Sequence, residues 1–105
     1  MKAAEAILAP GVPARQIAAA VRGVFARHGL AGHFPTHSGH GLGLGHPEPP
    51  YLVPESADVL RAGDVIAIEP GLYLEGVGGM RFERNYLITE AGTECLTHHR
   101  LTLTS

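Results

Sequence analysis

Between Pro13 and Gly29 the apolar residues Ile17, Val21, Val24 and Phe25 fall on one stripe, while Arg15, Arg22 and Arg27 lie off it. That spacing follows the helical period and predicts an amphipathic helix over 13–29, with Pro13 suited to a first helical position and Gly29 to a left-handed cap. Ahead of it, KAAEAILA at 2–9 is a run of strong helix formers stopped by Pro10-Gly11, which predicts a shorter first helix. From residue 32 onward helical periodicity disappears. VIAIE at 65–69 predicts a short strand closed by Pro70-Gly71, LYLE at 72–75 continues the extended chain, and GVGG at 76–79 predicts a flexible turn. MRFERNYLIT at 80–89 alternates Phe82, Tyr86 and Ile88 against Glu83 and Asn85 and predicts a returning strand. Glu90-Ala91-Gly92 then turns the chain into a last strand, ECLT. Two helices followed by several strands is an α+β order, with the two N-terminal helices packed on one face of an antiparallel sheet.

Composition narrows the function classes. The chain has 105 residues, enough for one modest core, and 1–105 is read as a single domain. With 45% hydrophobic and 17% charged residues it has the balance of a globular protein rather than a disordered one. The formal net charge is −2 and the eight Lys and Arg are scattered, so no surface tracks phosphates and nucleic acid is not an expected partner. No apolar run approaches the roughly 18 residues of a membrane span, and the N-terminal residues lack a signal-peptide cleavage region. The expectation is a soluble, cytoplasmic protein without a membrane partner. Cys95, the single cysteine, can close no internal disulfide and has no CxxC companion, so it is read as an ordinary strand residue.

The chemistry concentrates at residues 37–48, HSGHGLGLGHPE, where glycines at 39, 41, 43 and 45 take every second position. If 39–46 is extended, the period of two puts the glycines on one side and His40, Leu42, Leu44 and His46 on the other. A side without Cβ atoms lets another backbone or a substrate approach closely. A mobile glycine loop with incidental histidines is the competing reading. A phosphate loop is excluded because no Lys-Ser/Thr follows the glycines, and the dinucleotide-binding spacing fails where His46 stands. Two glutamates add to the histidines. Glu69 closes an apolar strand, and Glu83 is expected inside a strand between Phe82 and Arg84, where an unpaired buried carboxylate is costly. A metal could neutralise both, since one imidazole and two carboxylates form a hard ligand set suited to Mn, Co, Fe or Zn. Ordinary salt bridges to Arg81 and Arg84 are the alternative use.

GHGLGLGHPEPPYL, IEPGLYL and GGMRFERNYLITEAG, in this order and at these separations, resemble the C-terminal half of the "pita-bread" metallopeptidases, in particular the Xaa-Pro aminopeptidase and prolidase branch. The likeness extends over nearly the whole chain, including AAEAILAPGVPARQIAAAVRGVFARHG. It implies an α+β half of a pita-bread fold, with His40, Glu69 and Glu83 among the ligands of a dinuclear site of divalent metal such as Mn, Co or Zn, whose two ions share a water of lowered pKa. It further implies that His46 contacts the scissile peptide or stabilises the tetrahedral intermediate, and that Glu69 helps accept a proton from the attacking water and passes it to the leaving amine. The chain departs from the family pattern at three places. Thr36 stands four residues before His40 where the family has a histidine, and His37 comes one residue later. His46 follows His40 by six residues rather than seven, and Arg84 replaces a frequent aspartate.

The resemblance also implies two aspartate ligands from the preceding half of the fold. The only aspartates present, Asp58 and Asp64, lie downstream of the histidines and read as loop residues before the VIAIE strand. Three of five ligands therefore imply peptide hydrolysis at an N-terminal or X-Pro bond only with a complementing half, from a homodimer or from a separate chain. Whether the chain alone is an enzyme is left open by this count. A non-catalytic metal-binding or interaction module, and a vestigial relic of the fold, are the alternatives.

Overall fold

The structure is a computed structural model that describes residues 1–35 and 37–104. Helix α1 (Lys2–Glu5) is shorter than the 2–9 expected. Beyond it the chain tightens into three-residue turns, with the Ile7 N–H donating to Ala4 O at 3.1 Å and the Leu8 N–H to Glu5 O at 3.4 Å. So short a helix gains little from propagation, and Pro10 biases Ala9 away from helical angles. Helix α2 (Ala14–Arg27) matches its expected span to within two residues and buries Ala14, Ile17, Ala18 and Val21. Its C-terminus is closed by Gly29 at φ +70°, with the Gly29 N–H donating to Ala26 O at 3.0 Å and the Leu30 N–H to Phe25 O at 2.8 Å. This is the left-handed cap that the glycine predicted. A short 3-10 turn over Ala31–His33 follows.

Six strands come next: β1 (Gly39–Gly41), β2 (Val65–Ile68), β3 (Gly71–Leu74), β4 (Gly78–Arg81), β5 (Arg84–Thr89) and β6 (Gly92–Cys95). Four form an antiparallel sheet in the order β1-β2-β5-β6, and β3 and β4 pair as a separate hairpin. The single returning strand expected over 80–89 is therefore two strands. Arg81 pairs with Gly71 and Arg84 pairs with Ile68, so the chain changes partners across Phe82 and Glu83. Glu83 consequently lies between strands and is exposed, not enclosed within one. The turn expected at 76–79 is confined to residues 75–77, and Gly78 and Gly79 are drawn into β4 opposite Leu74 and Tyr73. The last strand starts at Gly92 and ends at Cys95, short of the ECLT span, because Thr97 Oγ1 accepts the Asn85 N–H at 3.0 Å in place of a strand carbonyl.

One hydrophobic cluster joins the layers. Ile66 and Ile68 of β2 and Tyr86 and Ile88 of β5 meet Ala4, Leu8, Ile17 and Val21 of the helical segment, with Phe34, Leu52 and Leu60 filling between. Burying each large aliphatic side chain contributes roughly 1.5–3 kcal/mol. The helices thus lie on one face of the sheet, and the alternate residues of β2 are turned to the other. Among the described residues, no helix is long and apolar enough to cross a membrane.

Candidate functional site

The period of two along β2 sends Ile66 and Ile68 to the core and leaves Ala67 and Glu69 for the opposite face. Ala67 is paired with His40 on the β1 side and with Asn85 on the β5 side. Glu69 stands just past the end of β2, where its N–H donates to Ser38 O at 2.8 Å. On its other flank the Phe82 N–H donates to Pro70 O at 3.3 Å, which sets Glu83 beside Glu69 one step beyond the Ile68–Arg84 pair. His40, Glu69 and Glu83 therefore occupy register positions on one face, away from the helices.

His40 and Glu69 are both buried, at 6% and 7% exposure. The His40 Nδ1 lies 2.8 Å from Gly41 O. A carbonyl oxygen only accepts, so Nδ1 carries the proton and Nε2 bears the lone pair when the ring is neutral. That Nε2 is 3.6 Å from Glu69 Oε1. Two donors bonded to one ion at about 2.0–2.2 Å stand about 3–3.6 Å apart, so this pair has ligand-like spacing, and the Nδ1–H to backbone bond is the outer contact that commonly orients a ligating imidazole.

Around this pair stand three further groups. His37 Nε2 is 3.2 Å from the same Glu69 Oε1, and Arg81 Nε is 3.8 Å from Oε2. Both partners are about half exposed, so solvent weakens these two contacts. The Arg81 contact is the salt-bridge use expected for the glutamates, whereas nothing in the residue pattern pointed to His37 meeting Glu69. The His46 ring lies edge-on to His40 at 4.9 Å between centroids. It arrives there by another route than the one expected, because only Gly39–Gly41 is strand and residues 43–47 bend. Thr36, which stands where the family has a histidine, lies outside the described residues.

The glycines serve the chain itself. A Cβ at Gly39 would strike the Ala67 carbonyl, and one at Gly41 would strike the Pro49 carbonyl. At Gly43 and Gly45 the space is taken by the Glu48 carboxylate. Both aspartates are loop residues, as expected: Asp58 Oδ2 accepts the Tyr51 N–H and Asp64 Oδ2 accepts the Arg61 N–H, each at 2.8 Å.

His40 and Glu69 fit one flank of a hard-metal site. Glu83 is adjacent by register but exposed, and among the described residues no three His, Cys, Asp or Glu side chains stand together as a metal-holding group.

Comparison with known proteins bears on the fold and the family. An uncharacterized peptidase of Staphylococcus aureus (strain USA300) is 41% identical over 90 residues, which is 86% of this chain and 26% of that protein. The X-Pro aminopeptidase from Thermotoga maritima MSB8 superposes with a TM-score of 0.91 at 31% identity, over 96% of this chain and 29% of that one. For the prolidase from Pyrococcus horikoshii OT3 the TM-score is 0.92 at 37% identity, over 98% of this chain and 30% of that one. The chain spans about a quarter of the length of the curated relative and under a third of these solved chains. Its architecture is α+β, half of a pita-bread fold. Residues 1–90 match the metallopeptidase family M24, and the chain belongs to that family.

Proposed function

We propose that this chain is the His- and Glu-bearing portion of an Xaa-Pro aminopeptidase- or prolidase-like metallopeptidase, hydrolysing an N-terminal or X-Pro peptide bond. His40, Glu69 and Glu83 would hold the divalent metal, Mn, Co or Zn, and carboxylates from outside these 105 residues, on a further segment or a second chain, complete the set. Bound metal supplies a water of lowered pKa and a polarised carbonyl. The His40 Nδ1 proton is committed to Gly41 O, which holds Nε2 toward Glu69. Glu69 accepts a proton from the attacking water and returns it to the leaving amine. His46, on an exposed loop against the His40 ring, faces the reacting carbonyl. The observation that carries this reading is the buried His40–Glu69 pair at 3.6 Å, with its imidazole oriented from behind.

The test is calorimetric titration of the purified protein with Mn, Co and Zn beside His40→Ala and Glu83→Ala, with mass by light scattering and X-Pro dipeptide hydrolysis on the same samples. Binding weakened at least tenfold in both variants is expected, with hydrolysis confined to preparations that contain the complementing carboxylates. Binding indifferent to both substitutions would sink the reading.

A second reading, the interaction-module form of the non-catalytic alternative, is favoured by the pairing of Glu69 with Arg81, which offsets the carboxylate charge without an ion. It predicts no heat of metal binding in the same titration.

A further inference from the structure

The loop that carries His46 has little to hold it. Leu44 at its tip is fully exposed, and among the described residues the 43–47 segment makes one hydrogen bond, from the Gly45 N–H to Glu48 Oε2 at 2.9 Å. Glu48 is itself fastened to the sheet, since the Gly41 N–H donates to its carbonyl at 2.7 Å and the two residues form an isolated antiparallel bridge. The carboxylate fills the space left by two absent side chains: a Cβ at Gly43 would sit 2.6 Å from Glu48 Cδ, and one at Gly45 would sit 3.1 Å from Oε2. Gly43 and Gly45 thus form a cradle for the carboxylate. At one end of the loop Gly41 follows His40 directly, and at the other Pro47 separates His46 from Glu48.

We infer that Glu48 is a positioning residue, whose carboxylate, seated over Gly43 and Gly45, closes the 42–47 loop and holds the His46 imidazole edge-on against His40. Only the catalytic use of His46 rests on the peptidase reading; the placement of the ring does not. A carboxylate suits the task because it accepts the Gly45 N–H with one oxygen and packs the other against a backbone without a Cβ. Charge-assisted bonds of this kind are shorter and stronger than neutral ones.

The inference is tested by NMR on the isotopically labelled protein, without metal or peptide, so failure of the peptidase reading leaves the readout intact. Cross-relaxation between the His46 and His40 ring protons is measured, with His46→Ala assigning the signals. Glu48→Ala is expected to abolish the cross-peak while the Ile66, Ile68 and Ile88 methyl shifts stay in place. Glu48→Gln, which can still accept the Gly45 N–H, restores most of it, a rescue that a general loss of packing would not show. Gly43→Ala leaves Glu48 in the chain but displaces its carboxylate, and is expected to remove the cross-peak too; this variant decides the matter if Glu48→Ala fails to fold. Persistence of the cross-peak in a folded Glu48→Ala or Gly43→Ala protein would overturn the inference.

Discussion

Gly41 lies against the carbonyl carbon of Pro49 at 2.7 Å from where its Cβ would be, and 2.8 Å from Glu48 O, so a side chain there meets backbone that cannot rotate away. Gly41→Ala is expected to cost about 1–3 kcal/mol, the usual range for overpacking, read as a lower urea midpoint at unchanged slope. Gly32, with nothing within 4 Å of its would-be Cβ, is the control, and Gly32→Ala stays within about 0.5 kcal/mol. The glycine alternation in HSGHGLGLGHPE announced a close approach. It did not say what approaches, because a missing Cβ is equally compatible with substrate, neighbouring strand or the chain's own loop. The answer is the Ala67 carbonyl at Gly39, the backbone of Glu48 and Pro49 at Gly41, and the Glu48 carboxylate at Gly43 and Gly45, all from the same chain. Glu69 was legible as a candidate because a glutamate closing an apolar strand is costly if buried unpaired, and His40 through the resemblance carried by the GHG motif. Their meeting depends on the β1–β2 register, which places His40 opposite Ala67.

Among the elements, α2 was readable because its period and its stop signal are local. Gly29 has φ +70°, and Gly29→Ala is expected to lower stability by about 1–2 kcal/mol, the strain of an L-residue in the left-handed region, measured by urea unfolding. The strand at 80–89 was misread for the opposite reason. Alternation is a property of each residue and its face, while the division between β4 and β5 follows from which strand each half pairs with. Gly71 draws Arg81 into the hairpin and Ile68 draws Arg84 into the sheet, and neither partner is a near neighbour in sequence. The exposure of Glu83 is a consequence of that change of partner.

For the whole molecule, Tyr86 offers a global readout. Its ring is fully buried, and its hydroxyl has no hydrogen-bond partner among the described residues. Burial pushes its phenol from 10.0 up to about 12, with Glu5 adding to the rise and Arg84 opposing it. Above about pH 10 the unfolded chain releases this proton while the folded one keeps it, so stability falls as pH rises toward 12. Urea midpoints followed from pH 9 upward are expected to show that decline, and Tyr86→Phe to remove it. An equal decline in the variant would assign the alkaline loss to other groups.

What the sequence determined by itself is whatever a short window or a motif can carry: the α+β order, α2 with its glycine cap, the β2 strand, and the residue types of a metallopeptidase site with their family. Those signals are local free energies, of burial at a given period and of backbone freedom at a glycine. Only the tertiary structure decided that one predicted strand would divide between two sheets, that Glu69 would gather His37, His40 and Arg81, and that the glycines would admit Glu48 and the backbone beside it. Each of these depends on which distant backbone supplies the hydrogen-bond partner, and a strand's own residues do not specify that partner.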